Sequence, residues 1–138
     1  MAKMELGELV DTFACAGDEQ DLETLLSCFA EDGEITIIDS KGNEIAHYSG
    51  MAEIRKGYRG LLGEYTTLYH LNGQKMFTVD GDKASGKVYC QEFLIHTYKS
   101  GVSNTLDQGA VYEDEYVKLN GKWLIKTRKG TVKWLNDR

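Results

Sequence analysis

Two stretches near the start of the chain carry apolar residues on a helical period. Leu6, Leu9, Val10 and Phe13 fall at i, i+3, i+4 and i+7, which predicts an amphipathic helix broken at Gly17. Leu22, Leu25, Leu26 and Phe29 repeat the spacing and predict a second helix that starts at Asp18 and stops before Gly33. Ile35, Ile37 and Ile38 follow as a short β-branched run, and Asp39 to Asn43 reads as a turn. A third helix is expected after Gly50, with Ile54, Tyr58, Leu61, Leu62 and Tyr65 on one side. Gly57, Gly60 and Gly63 each weaken it by about 1 kcal/mol relative to Ala, so its apolar face must supply the stability.

From Thr66 onward the period is two. Asp80-Gly81 joins a strand ending at Val79 to a long one from Lys83 to about Tyr98, and Ser100 to Asn104 makes a looser connection. Asn120-Gly121 lies between two β runs and is a strong hairpin signal, because both central positions of a type I′ turn need φ > 0. Helix, helix, strand, helix and then a meander of long strands describe an α+β architecture. Helices pack on one face of a curved, mostly antiparallel sheet, and together they enclose a conical cavity.

Two strands refuse a simple apolar-in, polar-out alternation. Val88, Cys90, Glu92, Leu94, His96 and Tyr98 share one face, and Tyr112, Asp114 and Tyr116 share a face of the next strand. Mixed faces fit a sheet lining a pocket on one side and a subunit interface on the other, or ordinary edge exposure.

A length of 138 residues accommodates one domain, spanning 1–138. The net charge of −6 argues against a nucleic-acid partner held through its phosphates. No apolar run reaches the ~18 residues that span a bilayer, and the acidic start is unlike a signal peptide, so a cytoplasmic protein with no membrane partner is expected. Cys15, Cys28 and Cys90 match no metal or redox spacing and read as reduced packing residues. The histidines His47, His70 and His96 are far apart, with no HxH or HExxH, so no metal site is expected.

Several short motifs carry a resemblance when taken in order. Asp18-x-x-Asp21-Leu22-x-x-Leu25, Phe29-Ala30-Glu31-Asp32-Gly33, Tyr69-His70-Leu71, Asp80-Gly81-Asp82 and Gly121-x-Trp123-x-Ile125 together resemble SnoaL-like proteins of the nuclear transport factor 2-like superfamily, also called cystatin-like. The run from Gly109 to Lys118, with Gly86-Lys87-Val88-Tyr89, is similar to bacterial bile-acid 7α-dehydratases; scytalone dehydratase is a more distant likeness. The resemblance implies a cone-shaped α+β barrel of sheet wrapped around the N-terminal helices, oligomeric as a homodimer or homotrimer, that eliminates water or moves a proton on a polycyclic substrate without metal or organic cofactor. It also implies that the family's helix-junction aspartate falls on Asp18 and its pocket histidine on His70. A basic residue of the last strand falls near Lys133, and His96 lies two residues out of register with a second histidine. Phe13 stands where the bile-acid enzymes have a tyrosine, and Gly17 and Ile37 replace the two phenols of scytalone dehydratase.

Elimination beside a carbonyl needs a base for the α-proton and an acid for the leaving hydroxyl, and an imidazole can serve as both in turn. His70 is the candidate catalytic group, with Asp18 fixing its tautomer. Asp18 also stands where a helix N-cap belongs, with Asp21 at N3, and His70 and His96 also read as hydrogen-bonded structural residues. His47 is expected to be solvated at a helix entry. Lys126, Arg128, Lys129 and Lys133 on the last strand read either as an edge or solvated face guarding against sheet extension or, through Arg128 or Lys133, as an anion site for a substrate carboxylate. Phe13 and Tyr112 complete the expected substrate-binding set. The expected function is a dehydratase-like lyase or isomerase acting on a small hydrophobic molecule. The alternative is a non-catalytic ligand-binding or oligomerisation module of the same shape.

Overall fold

The opening helical pattern is realised as α1 (Ala2–Asp18), which buries Leu6, Leu9, Val10 and Phe13 against the rest of the chain. In the computed structural model, which describes residues 1–138, α1 does not break at Gly17. It ends in a Schellman motif: the Gln20 N–H donates to Gly17 O at 3.0 Å and the Asp21 N–H to Ala16 O at 2.9 Å, with Gln20 at φ 57°. The Gln20 side chain then donates to Leu62 O at 2.7 Å and Tyr65 O at 2.9 Å, tying this corner to the third helix. α2 (Leu22–Ser27) is shorter than its apolar period suggests. Asp21, not Asp18, caps it, accepting from Thr24 N at 3.2 Å and Thr24 Oγ1 at 2.6 Å. These hydrogen bonds hold the Asp21 carboxyl below its usual pKa. Asp18 is thereby left free of capping.

Phe29 fits the helical period but opens β1 (Phe29–Ile38). The carbonyl of Cys28 accepts from Ile125 N at 2.7 Å, and pairing with the last strand takes the chain out of helix. β2 (Glu44–Ser49) returns across the Asp39 turn, where Asp39 Oδ1 accepts from Lys41 N and Asn43 N. The sequence pattern did not predict β2. His47 is therefore on an exposed edge strand beside Thr36, at 3.0 Å, and not at a helix entry. α3 (Met51–Glu64) buries Ile54 and Leu62. β3 (Thr67–Asp80), β4 (Lys83–Thr97), β5 (Ser103–Leu119) and β6 (Lys122–Asp137) complete the chain. The last hairpin turns through Asn120 at φ 52° and Gly121 at φ 77°, the pair of positive values a type I′ turn requires.

The strands form one sheet in the order β2-β1-β6-β5-β4-β3, and only the β1–β6 pair is parallel. β2 and β3 are both free edges, so the expected curved, mostly antiparallel sheet does not close on itself. Its concave face is closed by helices instead: α1 packs on β3 and β6, and α3 on β1 and β2. Between them lies the core, including Leu6, Phe13, Leu25, Phe29, Ile35, Ile54, Val88 and Tyr116. Aromatic rings cross the sheet where glycine leaves room. A Cβ at Gly130 would come within 2.9 Å of the Tyr112 ring, and one at Gly86 within 2.6 Å of Phe77. No helix is long and apolar enough to cross a membrane.

Candidate functional site

The concave face encloses a cavity of about 260 Å³ between the sheet, α1 and α3. Its walls are mostly apolar, with Phe13, Leu25, Tyr58, Leu68 and Leu94 among them, and a small polar cluster is set into the sheet side. That cluster lies on one rung of the sheet. His70 on β3 pairs with Glu92 on β4, and Glu92 pairs with Gln108 on β5. Directly opposed residues in antiparallel strands carry their Cβ atoms ~5 Å apart on the same face, so one rung delivers all three side chains to the cavity. A slip of one residue at either pairing would turn part of the cluster to the outside.

Behind His70 stands Asp18, the last residue of α1. His70 Nδ1 and Asp18 Oδ1 are 2.6 Å apart, with the imidazole nine-tenths buried and the carboxylate partly covered. This pair joins residues 52 positions apart. A carboxylate only accepts, so Nδ1 carries the donated proton and Nε2 is the ring nitrogen left toward Glu92 and the cavity. Nε2 lies 3.9 Å from Glu92 Oε1, beyond a direct hydrogen bond.

Glu92 is buried to 6% exposure and was absent from the sequence-derived set. Gln108 Nε2 donates to its Oε2 at 2.7 Å, and the Tyr112 hydroxyl donates to its Oε1. Burial, with the Glu92 charge adding to it, pushes the Tyr112 phenol well above its usual pKa, which keeps it a donor. Two donors on two oxygens satisfy the buried carboxylate. The signal available in the sequence was its place on the mixed face of β4, between Cys90 and Leu94.

The expected substrate-binding residues divide. Phe13 and Tyr112 line the cavity. Arg128 does not: it is 2% exposed and held by Asp114, with Nε to Oδ1 at 2.9 Å and Nη2 to Oδ2 at 2.8 Å. The Tyr116 hydroxyl donates to the same carboxylate at 2.7 Å. The guanidinium is sandwiched 4.6 Å from the Phe13 ring and 4.1 Å from the Tyr112 ring. Its donors face Asp114, so an anion site at Arg128 is corrected to a structural ion pair under the pocket wall. Burial disfavours the Arg128 charge, but the Asp114 attraction and hydrogen bonds outweigh it and raise its pKa. Of the edge or solvated-face reading, the edge falls, because β6 is an interior strand between β1 and β5, whereas Lys129 and Lys133 are exposed to solvent.

Lys133 is outside the cavity as well. Gly109 pairs with Trp134 and Ala110 with Val132, so Lys133 is the extra residue of a β-bulge. Val132 faces the cavity, and Lys133 joins Trp134 in a groove on the outer side of the sheet. His96 continues the face of Glu92 and Leu94, yet it sits beyond the cavity lining. Its Nδ1 donates to Glu64 O at 3.2 Å, tethering β4 to the end of α3.

The cysteines differ sharply in reactivity. Cys15 is exposed; burial raises the Cys28 thiol to about 11 and the Cys90 thiol to about 12. Alkylation of the native protein at neutral pH is therefore expected to modify Cys15 alone, with Cys28 and Cys90 reacting only in denaturant, as peptide mass mapping would read. The folded thiols hold their protons more tightly than unfolded ones, so their contribution to stability is whole below about pH 9. It declines as pH rises toward 11 and 12, and urea titrations at increasing pH would follow that loss.

A three-helix cover over an open sheet, enclosing an apolar cavity with one polar rung, defines a small α+β pocket protein. The chain belongs to the SnoaL-like domain family, whose model matches residues 2–129. No curated protein sequence matches it. Solved structures share the fold. A scytalone dehydratase candidate from Novosphingobium aromaticivorans is 19% identical with a TM-score of 0.82, over 98% of this chain and 86% of that one. The hexachlorocyclohexane dehydrochlorinase LinA-type3 of Novosphingobium barchaimii is 18% identical with a TM-score of 0.80, over 99% and 90%. A Nostoc punctiforme protein of unknown function with a cystatin-like fold is 24% identical with a TM-score of 0.72, over 94% and 90%. The finer likeness to bile-acid 7α-dehydratases rests on the sequence motifs alone.

Proposed function

We propose that the protein is a cofactor-independent lyase or isomerase of the dehydratase type, acting on a small hydrophobic hydroxy-carbonyl compound. The observation that carries this reading is the 2.6 Å His70–Asp18 contact at the wall of an apolar cavity. Asp18 holds the imidazole with Nε2 forward. Nε2 takes the proton α to the carbonyl, and the freed electron pair forms the new double bond as the β-hydroxyl departs. That hydroxyl takes the proton back from Nε2 and leaves as water, so the imidazole ends as it began. An isomerase would return the same proton to another carbon. The dehydratase and dehydrochlorinase names among proteins of this fold support an elimination. Exposed Tyr69, Leu71 and Tyr89 on the outer side of β3 and β4 support a homodimer or homotrimer joined through that face.

A panel of one- and two-ring β-hydroxy ketones tests the reading through the absorbance of the conjugated enone. The wild type is expected to dehydrate at least one member, and His70→Asn to be slower by ~10²–10⁴. Compounds that raise the melting temperature yet are never dehydrated would replace the enzyme with the binding module.

A further inference from the structure

We propose that Glu92 is the anchor for the departing hydroxyl and the charge filter of the cavity, restricting it to non-anionic hydroxylated compounds of one or two fused rings. This rests on the elimination reading above and deepens it. The separation of 3.9 Å between His70 Nε2 and Glu92 Oε1 is too long for a bond between them. It is the span that one oxygen bridges when it sits ~2.8 Å from each, a normal hydrogen-bond length on both sides. Glu92 is built to offer that contact. Gln108 occupies Oε2 and Tyr112 one lone pair of Oε1, which leaves a second Oε1 lone pair for a donor. A substrate hydroxyl placed there donates its hydrogen to Glu92, and once Nε2 has taken the α-proton, Nε2 becomes the donor to the lone pair that the hydroxyl turns toward it. When the C–O bond breaks, the oxygen receives the proton from Nε2, keeps its original hydrogen and leaves as water. Glu92 ends unchanged.

The same carboxylate sets the charge of the cavity. No lysine or arginine lines it, and Arg128, the nearest buried cation, is neutralised by Asp114 behind the Tyr112 ring. A bound carboxylate would therefore face Glu92 with no compensating cation in a poorly solvated site, where like charges repel strongly. Size adds the second restriction. An apolar cavity of ~150 Å³ holds one benzene. The 260 Å³ present here suits two fused rings and not a four-ring skeleton.

Naphthalenemethanol and naphthoate test the filter, since they carry a hydroxyl or a carboxylate on the same two-ring body. Calorimetric titration of the wild-type protein is expected to show the alcohol binding tighter by on the order of tenfold or more. In Glu92→Gln the two affinities should converge to within about threefold, because the repulsion has gone. Naphthoate binding as tightly as the alcohol to the wild type, or an unchanged ratio in Glu92→Gln, would overturn the proposal; so would failure of the alcohol to bind. The wild-type comparison decides the matter without the variant should Glu92→Gln not fold. These ratios need no turnover, so they stand or fall separately from the His70 chemistry.

Discussion

Asp114→Asn is expected to lower folding stability by ~3–5 kcal/mol, read as a fall in the urea midpoint with an unchanged m-value. The substitution keeps the shape of the side chain but removes the charge that faces Arg128. Both side chains are essentially buried, and they are directly opposed across β5 and β6. With Asp114 neutral, the guanidinium remains between Phe13 and Tyr112 with no counter-charge, and an uncompensated buried ion is among the largest single penalties a fold can carry. Against a typical total of ~5–15 kcal/mol, that loss is a large part of the margin. Replacing both partners, as Asp114→Leu with Arg128→Met, should recover most of it, since two well-packed apolar residues carry no desolvation cost. A single substitution within about 1 kcal/mol of the wild type would show that the pair is not the strut inferred here. The site should feel the same change: Arg128 supports the Tyr112 ring, and the Tyr112 hydroxyl supports Glu92.

The second large effect belongs to Asp18. In Asp18→Asn the contact to His70 Nδ1 survives in shape, but the amide can present either its oxygen or its NH₂ to the ring. Where the NH₂ faces Nδ1, the imidazole proton moves to Nε2, and the nitrogen that must accept the substrate proton is already occupied. The turnover found for the best hydroxy ketone should fall by ~10²–10⁴, with the loss in kcat and little change in KM, because Asp18 does not line the cavity. Stability should change far less than in Asp114→Asn, since the Asp18 carboxylate is a quarter exposed. Equal turnover in wild type and Asp18→Asn would remove the orienting role.

Much of the fold was legible because its signals are local. The apolar stripe of α1, the β-period after Thr66 and the Asn120-Gly121 turn each depend on residues within a few positions of one another. The departures of the fold from its local patterns have equally specific causes. Gly17 fits a helix stop, but termination here uses Gln20 at positive φ, an unusual residue for a role glycine most often fills. Asp18 has the chemistry of an N-cap, and the actual cap lies about one turn later at Asp21. Phe29 satisfies two periods at once, and pairing with β6 decided between them. At the site, His70 and Asp18 were named from motif and chemistry, Phe13 and Tyr112 beside them. Glu92 was seen only as one member of a mixed strand face.

By itself the sequence determined the order of helices and strands apart from β2, the α+β class and the strand residues able to face a cavity, because hydrophobic periodicity is written into neighbouring positions. The tertiary structure alone decided that the sheet stays open, that a bulge turns Lys133 outward, and that Arg128 is consumed by Asp114. It alone set His70, Glu92 and Gln108 on one rung with Asp18 behind. Those outcomes depend on strand register and burial, which are settled between segments tens of residues apart, where a displacement of one position exchanges the inside of the sheet for the outside.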